Sequence, residues 1–132
     1  MNWRQDFSVD ISSMDRQHQR IIDLINRLED AATTTEETKA VGSVLADLLS
    51  YTKYHFKAEE ALMQRHNFPG LATHRTEHHT LVKRVEEFQS RYAAGKRTDA
   101  HDLANFLMGW LESHILGIDK KYSPYLVEKG VR

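Results

Sequence analysis

At 132 residues, with 18 lysines and arginines against 19 acids and a formal net charge of -1, the chain has the length of one domain and no broad electrostatic reason to bind nucleic acid or an anionic membrane. Cysteine is absent, which removes disulfides, thiolate ligands and a cysteine nucleophile together, so any metal site must use nitrogen and oxygen. No apolar run approaches the ~18 residues of a membrane span, and Met1 to Asp10 lacks the apolar stretch of a signal peptide, so the expectation is a single cytoplasmic domain over 1–132.

In chain order, a non-helical arm carries Trp3, Phe7, Val9 and Ile11. A first helix then starts near Ser12 or Ser13, with Ile21, Ile22, Leu24, Ile25 and Leu28 as its apolar stripe. Thr33 to Thr35 read as a turn, and Thr34 with Glu37 fits the capping box that opens a second helix. That helix carries Val41, Leu45, Leu48, Tyr51, Tyr54, His55 and Met63, and Asn67-Phe68-Pro69-Gly70 ends it. A third runs from about Leu71 to Ala93, with Leu81, Val82, Val85 and Phe88 inward and Gly95 as its stop. Thr98 can cap the fourth, in which Leu103, Leu107, Trp110, Leu111, His114 and Ile115 recur at helical spacing up to Gly117. Tyr122 to Arg132 then read as a short tail. The pattern predicts an all-α, four-helix bundle with antiparallel neighbours, an N-terminal aromatic arm and a short C-terminal tail.

Two segments of this pattern carry chemistry. His55-Phe-Lys-Ala-Glu59 and His74-Arg-Thr-Glu-His78 each present two metal-binding side chains four residues apart, stacked on one helix face. At ~100° per residue Glu59 lies about 40° from His55, whereas Glu60 lies about 140° away and reads as a solvated charge. By the same arithmetic His78 shares a face with His74, and His79 points outward. His66 is aligned with His55 but roughly 16 Å along the helix, and His101 falls off the His114 face. The inward faces also carry Ile21, Phe56, Leu81 and Leu111. Buried imidazoles and carboxylates in such surroundings must either hydrogen-bond one another or be compensated by a cation.

These residues resemble the hemerythrins, and in particular the single-domain bacteriohemerythrins. The resemblance spans nearly the whole chain: the arm from Trp3 to Ile11, Asp15-Arg-Gln-His18-Gln19, the two segments above extended to Glu60, and Trp110-Leu-Glu-Ser-His114-Ile-Leu-Gly-Ile-Asp119. The relative myohemerythrin is an up-down-up-down bundle, so that topology is carried over from the resemblance. The one departure noted is Asp10, where relatives often have glycine.

The resemblance implies a non-haem diiron centre: two iron ions, Fe2+ or Fe3+, with an oxo or hydroxo bridge. His74, His78 and His114 would bind one iron, His18 and His55 the other, and Glu59 and Asp119 would bridge them. That count gives the first iron six ligands and the second five, which leaves one open position for dioxygen. Ile21, Phe56, Trp110, Leu111 and Ile115 are the candidates around the bound group, and in the family the leucine matching Leu111 lines the oxygen pocket. Asp119 follows His114 by five residues and would point about 140° away on an ideal helix, so its place in the set requires a distorted or ending helix near Gly117. The implied function is reversible dioxygen binding for storage, delivery or sensing. Its partners would be dioxygen itself and an electron donor or oxygen-receiving protein, with no nucleic acid and no membrane. It is not expected to be an enzyme.

The rival from another class is a diiron enzyme acting on peroxide, nitric oxide or an organic substrate. Ferritin-like oxidases present Glu-x-x-His pairs, whereas this chain presents His-x-x-x-Glu and His-x-x-x-His. Nitrogen and oxygen ligands suit iron and admit zinc or manganese. A metal-free bundle would have to keep five inward histidines without a ligand.

Overall fold

Four long helices follow one another with short connections in a computed structural model that describes residues 2–34, 38–95 and 100–132. They are α1 (Ser12–Thr34), α2 (Thr38–Arg65), α3 (Leu71–Ala93) and α4 (Ala100–His114). A short 3-10 turn, Gln5–Phe7, precedes them, and a π turn, Ile115–Asp119, leads into a fifth helix, α5 (Lys120–Glu128). There is no strand among the described residues. Helix α1 lies against α2 and α4, and α2 against α3, the neighbour pattern of an up-down-up-down bundle. Among the described residues no helix is long and apolar enough to cross a membrane.

The core follows the stripes read from the sequence. Ile21, Ile22, Leu24, Ile25 and Leu28 of α1 meet Leu45, Leu48 and Leu49 of α2, Leu81, Val85 and Phe88 of α3, and Leu103, Leu107 and Leu111 of α4 in one buried cluster. Tyr54 does not join it. It is 59% exposed and leans on Tyr51, because its position turns away from the seam between α1 and α3. Helix α1 continues through Thr33 and Thr34, where the turn was expected to begin, with Ala31 and Ala32 still packed on the core; Thr35 lies outside the described residues. Glu37 of the expected capping box and the Thr98 cap lie outside the described residues.

The helix ends have local causes. At the end of α2, Phe68 N–H donates to Met63 O and Asn67 N–H to Gln64 O, with Asn67 left-handed at φ 55°. This is the double hydrogen bond of a Schellman motif. Gly95, at φ 82°, ends α3 as expected. The arm is tied down by Asp15 in the first turn of α1: its carboxylate accepts Val9 N–H at 2.9 Å and Ser8 Oγ–H at 2.6 Å. Asp10, the residue after Val9, sits at φ 61°, in the left-handed region that favours glycine.

The expected C-terminal tail is instead helical. Propensity argues against it, because Pro124 interrupts its hydrogen bonding, but Tyr122, Ser123 and Leu126 are buried and packing overrides the local preference. Ser123 Oγ–H also donates to Val9 O at 2.6 Å, which locks α5 to the arm.

Candidate metal centre

His18 from α1, His55 and Glu59 from α2, His74 and His78 from α3, His114 from the last turn of α4 and Asp119 from the π turn are all buried. They form two groups with ligand-type atoms within 4.8 Å of one another: Glu59, His74, His78, His114 and Asp119 in the first, and His18, His55 and Glu59 in the second. Each carboxylate spans both. Glu59 places Oε1 at 2.9 Å from His74 Nε2 and 3.0 Å from His78 Nε2, and Oε2 at 3.5 Å from His18 Nε2 and 3.4 Å from His55 Nε2. Asp119 places Oδ1 at 2.9 Å from His74 and 3.1 Å from His114, and Oδ2 at 3.1 Å from His18.

Asp119 reaches the cluster because the backbone changes pitch. Continued α-helix would turn it about 140° from His114. The π turn over Ile115–Asp119 pairs residues five apart, so that His114 and Asp119 share one face. The distortion that the five-residue spacing requires is therefore a single wide turn.

Three further side chains complete the surroundings. Tyr122 O–H donates to Glu59 Oε2 at 2.7 Å. Gln17 Oε1 lies 2.7 Å from His55 Nδ1. Glu60 Oε2 lies 2.8 Å from His78 Nδ1, and its other oxygen accepts Arg75 Nε–H at 3.0 Å. Glu60 is thus not the solvated charge that its angle suggested. It faces α3 rather than water, which periodicity along one helix does not reveal. Gln17 turns toward the cluster, while Gln19 is exposed. His79 is exposed, His101 is exposed with Glu29 at 3.9 Å, and His66 lies apart, its carbonyl accepting the Tyr125 hydroxyl at 2.7 Å.

Aromatic rings seal one side. Phe56 lies flat on His78, with centroids 3.7 Å apart, and Trp110 on His114 at 4.4 Å. Both rings, with Ile21 and Leu111, also line an apolar cavity that leaves about 20 Å³ for the centre of a water-sized molecule. That is room for about one water-sized molecule. Ile115 is fully buried but is not part of this lining.

The donor set fits a cation. His18 Nδ1 and Nε2, His74 Nδ1, His114 Nδ1 and both Asp119 oxygens are buried with no aligned hydrogen-bond partner among the described residues. Orphaned polar atoms at this density cost far more than a bundle core tolerates unless an ion takes up the lone pairs. Without one, protons stand in. Burial opposes charge on His18, but Asp119 and Glu59 hold its pKa up at about 10, and the same balance holds His74 at about 9. For His55 burial wins over Glu59, and the pKa falls. Burial pushes Glu59 and Asp119 upward, and the charge of Glu59 adds to this for Asp119. The facing histidines nevertheless hold both carboxyls well below their ordinary range. Burial, then the charges of Glu59 and Asp119, keep the Tyr122 phenol protonated well beyond its usual value.

The pH dependence follows with a definite sign. In the metal-free protein the raised values of His18 and His74 contribute stability that is complete below about pH 6.5 and lost as pH rises toward 9 and 10. The depressed carboxyls contribute stability above about pH 4 that is lost in acid. Ligation needs neutral imidazoles, so loading at neutral pH should release about two protons from His18 and His74, and affinity should climb until about pH 9 to 10. Acid should then strip the metal. Thermal midpoints of metal-free protein and chelator competition, both followed against pH, check this. A metal-free midpoint that stays flat from neutral to alkaline pH would contradict the charge arrangement.

With the geometry in place, comparison with known proteins gives a consistent result. The family profile described as hemerythrin HHE cation binding domain matches residues 9–126. A bacteriohemerythrin of Methylococcus capsulatus is 35% identical over 127 residues, covering 96% of each chain. One from Stenotrophomonas maltophilia is 37% identical, covering 92% of this chain and 78% of its own. A crystal structure of wild-type hemerythrin superposes with a TM-score of 0.91 at 35% identity, covering 96% of this chain and 97% of that one.

Proposed function

This chain belongs to the hemerythrin family, and from that premise we propose that it binds dioxygen reversibly at a pair of iron ions held inside the bundle. His74, His78 and His114 would hold one iron and His18 and His55 the other, with Glu59 and Asp119 available to both. One observation carries the assignment: each of two buried carboxylates turns one oxygen to each histidine group. A reduced iron pair supplies the two electrons on which reversible dioxygen binding draws.

The chain's own residues do the rest. Tyr122 holds Glu59 in place through a hydroxyl that keeps its proton at all working pH values. Phe56 and Trp110 keep water from His78 and His114, and Leu111 closes the apolar space beside them. A dry wall of this kind disfavours charge separation, which is what a carrier needs in order to return dioxygen unchanged. The chain is accordingly a carrier and not an enzyme, serving storage, delivery or sensing of dioxygen, with an electron donor to restore the reduced state.

The test is the optical spectrum of anaerobically reduced protein before and after oxygen is added, together with metal analysis. The expected result is two irons per chain, spin-coupled through the shared carboxylates, and a charge-transfer band that disappears when oxygen is removed. One iron per chain in protein from its native source, or irreversible oxidation with substrate turnover, would reject the assignment.

A further inference from the structure

The two histidine groups differ in what stands behind them. Of the five buried histidines, His18, His74 and His114 have no hydrogen-bond partner at Nδ1 among the described residues. The other two do, and the partners differ in charge. His78 Nδ1 meets a carboxylate, Glu60, at 2.8 Å, and His55 Nδ1 meets a neutral amide, Gln17, at 2.7 Å. With Nε2 directed at the cluster, each Nδ1–H donates outward, and each contact fixes the tautomer and the ring plane.

A carboxylate draws the Nδ1 proton more strongly than an amide oxygen and gives the ring more imidazolate character. The ring then donates more to its metal and favours the higher oxidation state. Arg75 holds Glu60 in register through its second oxygen at 3.0 Å. Because Arg75 is half exposed and Glu60 19% exposed, that pair contributes orientation rather than much energy, and it offsets only part of the Glu60 charge. In the corresponding place behind His55 the partner is the neutral Gln17 amide.

We propose that Glu60 and Gln17 are positioning residues that make the two metal positions electronically unequal: the carboxylate behind His78 makes the three-histidine position the one that gives up an electron first, and the amide behind His55 keeps the two-histidine position reduced for longer. This inference rests on the diiron reading above. The electron leaves one Fe2+, which becomes Fe3+, and passes to a one-electron oxidant, for which ferricyanide serves in the test.

The full chain is loaded with iron and its content measured first. A parent that holds no iron pair overturns the diiron reading and this inference with it. If the parent holds two irons, stepwise oxidation by ferricyanide is compared across variants. Glu60→Gln, which retains an acceptor but not the charge, should keep both irons and raise the midpoint of the first oxidation. Gln17→Glu should lower the midpoint of the second, and Arg75→Ala, by freeing the Glu60 charge, should lower that of the first. Glu60→Ala should lose iron to a chelator about 10–100-fold more readily. Should Glu60→Gln not hold iron, the zinc-loaded protein answers the same question by NMR. The far-downfield Nδ1 proton of His78 should move upfield when Glu60 is replaced by Gln. A two-iron Glu60→Gln protein with an unchanged first midpoint, or an unmoved His78 proton in the zinc form, overturns the proposal.

Discussion

Replacing His78 by alanine should empty at least one metal position and abolish the oxygen-dependent spectrum, while replacing its neighbour His79 should change neither. The two residues are adjacent in sequence and opposite in environment. His78 is buried, 3.0 Å from Glu59, stacked on Phe56 and backed by Glu60, whereas His79 is exposed on the outer face of α3. His78→Ala therefore removes a ligand and leaves the Glu60 carboxylate facing a void. His79→Ala should stay within about 0.5 kcal/mol of the parent in stability. Iron content, spectrum and thermal midpoint of the two variants decide the matter. Loss of the centre in the second variant and not the first would mean that the register of α3 is wrong.

Leu111→Ala should accelerate autoxidation while both irons and oxygen binding are kept. Leu111 is buried on α4, one turn before His114, and forms part of the wall of the apolar cavity shared with Phe56 and Trp110. Truncation enlarges that space and lets water approach the oxygen site, where it stabilises the charge-separated state that a dry wall suppresses. A core leucine lost to alanine also costs roughly 2 to 5 kcal/mol wherever it sits, so a lower melting point alone says nothing about the pocket. Autoxidation rate and thermal midpoint measured on one sample separate the two effects. A destabilised protein that autoxidises at the parental rate would leave Leu111 as ordinary core.

The reach of the sequence can be judged residue by residue. His55 with Glu59, and His74 with His78, were legible because an i,i+4 pair on a regular helix needs no knowledge of its neighbours. The apolar stripes were legible for the same reason. Asp119 was readable only through the resemblance, since its placement depends on a π turn and periodicity assumes a constant pitch. Glu60 and Gln17 were missed for a different reason: each points across a helix interface, and which helix lies opposite is a property of the packed bundle. Tyr122 and the rest of α5 were missed because a proline and a short segment argue against helix locally, while the burial that overrides them is contributed by residues far away in the chain.

The contact between His18 and Asp119 has a consequence for how firmly the chain is held closed. Their side chains meet at 3.1 Å, although nearly the whole bundle lies between them in sequence. An ion pair gripped by both residues ties a loop of about 100 residues, and a covalent cross-link of that span restricts the unfolded chain by about 4 to 5 kcal/mol. This protein has no cysteine with which to form such a link. A bound metal would serve as the staple, fastening the first helix to the π turn that precedes α5, so that losing the metal means losing the clasp as well as the cargo site.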